Sequence, residues 1–270
     1  MLLTIVQPNY LAGENPAEKN RQYIIEQMKN APENGIILFP EYSNCGGVSD
    51  PEEERKCLPF AKEILDTASR AAKEKRCILS VNVLEEKNGK IKNSTYLFGR
   101  KGEQVFVYHK QHLPLSEINL GVEAGNGEGE KCQCICDYEG IRFAFLCCYD
   151  VYFNEQIEHI AKYKPDVILI PGMQRGERAD ILTAQAKMIA FRCNAYTAKS
   201  SFSMMNDEKG GCSMIIGPDG KIIKNMGSEV GSFTADIDLS YKYMRPAGFG
   251  QGLIRNDDFI NNGLCRKAFE

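Results

Sequence analysis

Short apolar runs alternate with helical patterns along most of the chain. Residues 2–7, 36–39 and 166–170 are each apolar enough to form buried strands. Between such runs, apolar side chains recur at helical spacing, as at Ile24 and Met28, and polar residues fill the other positions. Because strands and helices alternate in both halves, the pattern predicts an α/β fold in which two sheets pack face to face and helices cover the outside.

Turn signals predict where antiparallel strands are joined. Asn88-Gly89 and Arg100-Lys101-Gly102 each separate two strand-like segments, which predicts two successive hairpins. Pro218-Asp219-Gly220 predicts a further turn, joining a strand near 211–216 to one near 231–237. Both halves of the chain are therefore expected to contain hairpins.

A single domain is predicted over residues 1–270. The chain contains no fixed-period repeat, low-complexity tract or clear linker, and its length is compatible with one large α/β domain. From Leu239 onward the pattern becomes irregular, with Arg245-Pro246 and several glycines. We expect residues 239–270 to form a C-terminal tail that packs on the body of the domain or on a partner subunit.

Composition and charge argue against several classes of function. With 43% hydrophobic and 26% charged residues, the chain has an ordinary globular composition. A formal net charge of −3, with scattered lysines and arginines, gives no electrostatic reason to expect a nucleic acid or an anionic membrane as partner. No apolar run is long enough to cross a bilayer, and residues 1–10 are interpreted as a first strand rather than a signal peptide. We therefore expect a cytoplasmic protein.

The cysteines are expected to remain reduced. Eleven is an odd number, so a complete disulfide framework is impossible, and cytosolic thiols stay reduced. Cys132, Cys134 and Cys136 are candidate metal ligands, but their two-residue period places them on one strand face, whereas structural zinc sites more often have two intervening residues. We favour burial as small hydrophobic side chains and expect neither a metal nor a cofactor.

The segment from Arg142 to Glu155 is the most informative stretch for function. An apolar run rich in strand-forming residues stops at Cys148, and a helical pattern begins a few residues later. A cysteine at such a corner is placed for nucleophilic attack, because a helix N-terminus favours the thiolate and the N–H of Tyr149 can hold an oxyanion. Cys147 is the rival nucleophile, but on an extended strand it points the opposite way, which indicates packing.

Two further ionisable groups, Glu41 and Lys110, follow predicted buried strands. Alone, either one is more typical of a solvent-exposed side chain. Together with Cys148 they supply a proton acceptor for the thiol, a positive donor for the oxyanion and a proton for the leaving nitrogen, as attack on an amide-like carbon requires. We favour the glutamate over a histidine as the base. The histidines are His109, His112 and His159.

Three motifs resemble those of the nitrilase, or carbon–nitrogen hydrolase, superfamily. They are Phe39-Pro40-Glu41-Tyr42, Lys110-Gln111-His112-Leu113 and the segment from Cys148 to Glu155, in family order and at family-like spacing. Arg192-Cys193-Asn194-Ala195 and the hairpin from Gly211 to Gly220 are similar as well, so the resemblance covers roughly residues 2–238. It implies the family's four-layer αββα sandwich, which often pairs into a homodimer or a larger homo-oligomer.

The resemblance also implies roles for individual residues. Glu41 is expected to be the general base and acid, Lys110 the oxyanion stabiliser and Cys148 the nucleophile. A second glutamate that orients these groups is expected at Glu117, with Glu123 as the alternative, in the long polar loop that follows Lys110.

The family's substrate pocket is expected around the loop after the strand 166–170. The chain has no tryptophan, so the tryptophan common in this loop is replaced. Arg175 is a candidate to bind a substrate carboxylate, although a solvent-facing arginine is the more common outcome. The residues expected to contact substrate are Tyr42, Tyr149, Gly172 and Met173.

The sequence thus predicts a thiol hydrolase that cleaves a small amide or N-carbamoyl compound through a thioester. Nitrile hydrolysis and acyl transfer to an amine remain open, because the same three groups serve them. A catalytically silent member that acts as a binding or assembly subunit is a further alternative, and the intact Glu–Lys–Cys set argues against it.

Overall fold

A computed structural model of the chain describes residues 1–11, 13–125 and 133–262. The strands of the first sheet are β1 (Leu2–Gln7), β2 (Ile36–Leu38), β3 (Ile78–Lys87), β4 (Lys90–Phe98), β5 (Gln104–His109) and β12 (Gly231–Asp236). The strands of the second sheet are β6 (Ile135–Tyr138), β7 (Ile141–Phe145), β8 (Val167–Pro171), β9 (Tyr196–Ser200), β10 (Met214–Ile216) and β11 (Ile222–Asn225). A separate hairpin consists of β13 (Met244–Pro246) and β14 (Leu253–Arg255).

Helices occupy most of the connections between the strands. They are α1 (Pro16–Lys29), α2 (Pro51–Cys57), α3 (Ala61–Lys75), α4 (Leu115–Leu120), α5 (Asn154–Lys162), α6 (Ala179–Cys193) and α7 (Asn256–Asn262), with short 3₁₀ helices at Leu58–Phe60 and Cys148–Tyr152. In the described ranges no helix has the length and apolar character needed to cross a membrane.

The chain builds the two sheets one after the other. The first sheet has the order β12-β1-β2-β3-β4-β5 and the second β11-β10-β9-β8-β7-β6. In each sheet the central strands are parallel, β1–β2–β3 in the first and β7–β8–β9 in the second, and antiparallel hairpins extend the edges. The strand β12 returns from the second sheet to pair with β1. The parallel centre of each sheet creates an edge at which strand ends and their loops meet, as in other α/β sheets.

Apolar side chains fill the spaces between four layers. One cluster lies between the sheets and includes Leu3 and Ile168. The helices α1 and α3 cover the outer face of the first sheet through Ile24 and Ile64, and α6 covers the outer face of the second through Ala186. Full burial of a large apolar side chain contributes about 1.5–3 kcal/mol, so these interfaces hold the layers together. The predicted αββα sandwich is confirmed.

The turn at Pro218-Asp219-Gly220 is correctly predicted, but its partner strand is not. It joins β10 to β11 in an antiparallel pair rather than leading directly to residues 231–236. The isoleucines of β11, Ile222 and Ile223, are exposed. Because β11 is an edge strand without a buried face, its sequence lacks the alternation of apolar and polar residues by which a strand is recognised.

The described part of the tail carries regular structure and contacts α6. Asn194 Nδ2 donates to Asp257 Oδ1 at 2.8 Å, and Asn256 Nδ2 donates to the carbonyl of Phe191 at 2.6 Å. These contacts join α7 to the end of α6. Part of the segment 239–262 therefore lies against the body of the same chain. The contacts are polar, and hydrophobic periodicity in the sequence does not indicate them.

Cys134 and Cys136 are buried between the sheets, in the cluster that contains Phe143. Cys132 lies outside the described residues. Across the part of the chain that the structure describes, no group of three histidine, cysteine or acidic side chains is arranged to hold a metal ion.

Candidate active site

Glu41, Lys110 and Glu117 meet in one buried ion cluster. The Nζ of Lys110 lies 2.8 Å from Glu41 Oε1 and 3.0 Å from Glu117 Oε1. Glu41 follows β2 and Lys110 follows β5, so two strands of the first sheet deliver opposite charges to the same point. Glu41 is only 1% exposed. A carboxylate so far from water persists because the ammonium pairs with it.

Cys148 reaches this cluster from the second sheet. The strand β7 ends at Phe145, and the 3₁₀ helix begins at Cys148, whose φ of 49° is left-handed. Its half-buried thiol hydrogen-bonds to Glu41 and accepts from the backbone N–H of Met173. A non-glycine residue in this conformation costs about 1–3 kcal/mol and is typical of a functional corner. The convergence predicted for Glu41, Lys110 and Cys148 is present in the structure.

The extended-strand argument predicted that Cys147 points away from the cluster. In the structure it points towards the cluster instead. Its Sγ lies 3.3 Å from Glu41 Oε1 and 3.6 Å from the Nδ2 of Asn82. The alternation fails because the left-handed backbone of Cys148 interrupts the extended chain at this point. Cys147 is 0% exposed whereas Cys148 is half-buried, so the accessible thiol is Cys148.

Opposing effects set the charges of the cluster. Burial raises the pKa of Glu41, but the charge and hydrogen bond of Lys110 outweigh it and hold the pKa below its usual value. Burial lowers the pKa of Lys110, yet the charges of Glu41 and Glu117 raise it well above its usual value. At neutral pH the cluster therefore contains an ionised Glu41 and a protonated Lys110.

The Cys148 thiol is held in its neutral form, although a helix N-terminus by itself would favour the thiolate. Burial and then the negative charge of Glu41 raise the pKa of the thiol, and the opposing charge of Lys110 does not reverse this. The adjacent helix is only a 3₁₀ turn, whose end carries less dipole than a long helix. Cys148 is therefore a neutral thiol at rest, hydrogen-bonded to Glu41.

Glu117 lies on the short helix α4 rather than in an extended loop. Its Oε1 accepts from Asn93 Nδ2 at 2.8 Å, from Tyr42 Oη and from Lys110. Burial, with the charge of Glu41, raises the pKa of Glu117 against the opposing charge of Lys110. Glu123 instead pairs with Lys90 at the surface, so only Glu117 reaches the cluster.

Two asparagines that the sequence reading did not single out hold the carboxylates in place. Asn93 Nδ2 donates to Glu41 Oε1 and to Glu117 Oε1, at 2.8 Å each. Asn82 Nδ2 donates to Asn93 Oδ1 at 2.7 Å. Asn82 has a signal in the sequence, a polar amide in the interior of an apolar strand, which indicates a buried hydrogen-bond network. Asn93 stands in the polar run Lys92-Asn93-Ser94-Thr95 and has no such signal.

Asp150 joins the elbow to the strand that carries Lys110. Its Oδ2 accepts from the N–H of Cys147 at 2.9 Å and from Tyr108 Oη at 2.6 Å. Its Oδ1 accepts from the N–H of His112 at 2.9 Å and lies 3.0 Å from His112 Nδ1. Asp150 is thus a structural brace.

The three histidines contact groups other than the Cys148 thiol. His112 is bonded to Asp150, and His109 Nδ1 lies 2.8 Å from Ser94 Oγ. The ring of His159 packs on Tyr163. The contact to the Cys148 thiol is made by Glu41, which favours the glutamate as base.

Of the residues predicted to contact substrate, Gly172 and Met173 lie beside the thiol. A Cβ at Gly172 would lie 4.0 Å from Cys148 Cα, so the loop after β8 runs directly past Cys148. Tyr149 packs edge-on against the ring of Phe153, with 5.2 Å between the ring centres.

Tyr42, also predicted to contact substrate, lies beside the ion cluster. Its side chain is buried, and its hydroxyl donates to Glu117. Because its φ of 55° is left-handed, the chain turns sharply directly after Glu41. Tyr42 therefore contacts the ion cluster through Glu117, and its contact with substrate stays a prediction.

The family match agrees with this geometry. A family model described as carbon-nitrogen hydrolase matches residues 2–244. The chain belongs to the carbon–nitrogen hydrolase family, and it is therefore an enzyme of the class that hydrolyses C–N bonds other than peptide bonds.

Curated relatives extend over most of the chain. A 2-oxoglutaramate amidase of Bacillus subtilis (strain 168) is 29% identical over 233 residues, which cover 82% of this chain and 84% of the relative. An omega-amidase of Xenopus tropicalis is 27% identical over 234 residues, which cover 79% of this chain and 81% of the relative.

Solved structures share the fold at low sequence identity. An amidase from Nesterenkonia sp. has a TM-score of 0.73 at 18% identity, covering 89% of this chain and 91% of its own. A CN-hydrolase superfamily protein of Xanthomonas campestris has a TM-score of 0.74 at 15% identity, and the match covers 88% of this chain and 90% of the other protein's chain.

Proposed function

We propose that the protein is an amidase that cleaves a small amide or N-carbamoyl compound through a thioester on Cys148. The observation that carries the proposal is that Glu41 contacts both the accessible thiol and the Lys110 ammonium. The names of the relatives, 2-oxoglutaramate amidase and omega-amidase, support an amide over a nitrile as substrate.

In the first half-reaction, Glu41 accepts the proton of the Cys148 thiol as the sulfur attacks the carbonyl carbon. Because the thiol is neutral at rest and Glu41 is ionised, this transfer and the attack occur together. Lys110, with the N–H of Tyr149, stabilises the oxyanion of the tetrahedral intermediate. When the C–N bond breaks, Glu41 returns the proton to the leaving nitrogen, so ammonia or an amine departs and a thioester remains.

In the second half-reaction, water replaces the amine. Glu41 accepts a proton from water as its oxygen attacks the thioester, and the same oxyanion donors act again. Collapse of the second intermediate breaks the C–S bond, the thiol regains its proton and a carboxylic acid leaves. Glu117 stays in place and fixes Lys110 between two carboxylates.

Replacement of the nucleophile is the direct test. Cys148→Ala should abolish ammonia release across a panel of small amides, N-carbamoyl compounds and nitriles, because no thioester can form. Its thermal unfolding should stay close to that of the wild type. Intact-mass analysis of the wild type with substrate should detect an acyl adduct, which peptide mapping assigns to Cys148.

The rival thiol provides the matched control. Cys147→Ala should still form the adduct, although its contact with Glu41 can alter the rate. Normal turnover by Cys148→Ala would refute the proposal. The absence of both turnover and thiol labelling in the wild type would favour the catalytically silent alternative.

We also propose that the protein forms a homodimer or a larger homo-oligomer. The support is the family resemblance, together with an apolar groove of about 380 Å³ between α5 and α6. Ile157, Ile181 and Met188 line this groove, and Met188 is 61% exposed. An exposed apolar patch of this kind is typical of an interaction surface.

A further inference from the structure

Arg175 is a fixed cation near the nucleophile whose charge is not paired. It lies three residues after Gly172, on the loop that passes Cys148. Its Nη1 donates to Tyr10 Oη at 2.7 Å, and Tyr10 Oη donates to the carbonyl of Val48 at 2.8 Å. In the described ranges, no carboxylate oxygen lies within 4 Å of its guanidinium nitrogens. Most of its five N–H donors are therefore left for a ligand.

Glu54 is a second half-buried charge without an ion-pair partner. It lies on α2 three residues before Cys57, so the two side chains share one helix face. Cys57 belongs to the apolar cluster that contains Tyr42 and against which Met173 packs. This face of α2 is therefore turned towards the catalytic cluster. Of the basic groups that the structure describes, none lies within 4 Å of the Glu54 carboxylate.

The two charges influence each other without touching. Burial raises the pKa of Glu54 to about 7; Arg175 opposes the rise, and the charges of Glu117, Glu41 and Asp50 add to it. Tyr10 joins the two elements, because its hydroxyl accepts from Arg175 and donates to the carbonyl of Val48, two residues before the N-cap of α2. An anion and a cation held apart in a half-buried space are both stabilised by a ligand that carries both charges.

The loop that carries Arg175 contains one more buried polar group. Gln174, between Met173 and Arg175, is 8% exposed, and neither its amide nitrogen nor its amide oxygen makes a hydrogen bond of standard length and angle within the described residues. Its oxygen would lie 3.6 Å from a Cβ at Gly172. The amide lies close enough to Tyr152 to lower the pKa of that phenol, and a bound polar group can supply the well-aligned hydrogen bonds that the amide lacks.

We propose that Arg175 binds the carboxylate and Glu54 the ammonium of an α-amino acid substrate, so that the enzyme acts on an amino acid whose side chain ends in an amide. This inference rests on the proposed amidase function. A neutral amide leaves both charges unpaired, and an amide with a carboxylate alone leaves Glu54 beside a second anion. A zwitterionic head group compensates both.

Four substrates that differ only in their charges provide the test. L-Glutamine carries both charges, 5-amino-5-oxopentanoate only the carboxylate, 4-aminobutanamide only the ammonium, and butanamide neither. The corresponding set one methylene shorter, headed by L-asparagine, covers the alternative chain length. For each, kcat/KM is measured by ammonia release in the wild type, Arg175→Met and Glu54→Gln.

The wild type should prefer the zwitterion over both singly charged analogues in one of the two sets. Arg175→Met should lower the ratio of kcat/KM for the zwitterion over the ammonium-only analogue by about 10–100-fold, the effect expected from loss of hydrogen bonds between charged groups. Glu54→Gln should lower the ratio for the zwitterion over the carboxylate-only analogue by a similar factor. A purely structural role for either residue would lower all four rates together and leave these ratios unchanged.

Two neighbouring substitutions control for nonspecific effects. Arg178→Met and Glu53→Gln alter surface pairs on the same loop and helix, with Asp180 and Lys56, and should leave the ratios unchanged. A wild type that prefers either singly charged analogue to the zwitterion at both chain lengths would overturn the inference. This measurement uses the wild type alone, so it does not depend on whether a variant folds. Turnover of butanamide that depends on Cys148 would still support the amidase, whereas inactivity on every amide would refute both.

Discussion

Glu41 remains ionised in a place that disfavours a charge. It is 1% exposed, and burial alone raises the pKa of a carboxyl group. The Lys110 ammonium, 2.8 Å away, reverses this effect. Lys110 therefore has two effects in the proposed mechanism, because it stabilises the oxyanion and also keeps the base deprotonated before substrate arrives.

Lys110→Gln should separate these effects in a pH profile. Loss of an oxyanion donor should lower kcat/KM by about 10²–10³-fold. Without the ammonium, burial should move the pKa of Glu41 above its usual value, so the acidic limb of the kcat/KM profile should shift to higher pH. The wild-type limb should lie below the ordinary glutamate range, because its pKa is lowered.

The surface lysine Lys90, which pairs with Glu123, supplies the matched control. Lys90→Gln should leave both the rate and the profile unchanged. An acidic limb that stays at the wild-type position in Lys110→Gln would contradict the coupling between Lys110 and Glu41.

Between elements, a single carboxylate joins the strand that carries Lys110 to the elbow that carries Cys148. Asp150, on the elbow of the second sheet, accepts from Tyr108 and His112, which flank Lys110 on the first sheet. It also accepts from the N–H of Cys147, directly before the proposed nucleophile. The strand β5 and the elbow are thereby fixed to one another through a group that has no step in the proposed mechanism.

Asp150→Ala should destabilise the fold and slow catalysis together. Truncation leaves several buried donors without an acceptor, at about 1–3 kcal/mol each, so we expect the free energy of unfolding to fall by roughly 3 kcal/mol or more in urea titrations. In the fraction that remains folded, kcat should fall at least about tenfold, because small misplacements of reacting groups are costly.

Asp137→Ala is the comparison variant, since Asp137 pairs with Arg142 in an exposed bridge. Its effect on the free energy of unfolding should be less than about 1 kcal/mol. A loss of similar size in both variants would argue against a special role for Asp150.

At the scale of the whole molecule, the sequence predicts the layers and the convergence of Glu41, Lys110 and Cys148, because strand ends and motifs are local signals. It does not predict that Asn93 bridges Glu41 and Glu117, since this contact depends on the register between β3, β4 and β5. The approach of Cys147 to Glu41 was missed for a related reason. A left-handed backbone angle at the next residue is not visible in a pattern of apolar positions.

The proposed homo-oligomer gives a prediction at the same scale. If a second copy covers the groove between α5 and α6, Met188→Glu should convert the wild-type oligomer to a smaller species in light scattering coupled to gel filtration. Met205 is equally exposed, at 61%, and lies outside the groove, so Met205→Glu should leave the mass unchanged. A monomeric wild type at micromolar concentration would refute the proposal.

Because Glu41 and Lys110 come from one sheet and Cys148 from the other, no half of the molecule contains a working site. During refolding, neither sheet alone can regain turnover, however complete its hydrogen bonding. Recovery of activity therefore cannot precede the docking of the two sheets, and the rate at which activity returns sets a lower limit on the rate of that docking.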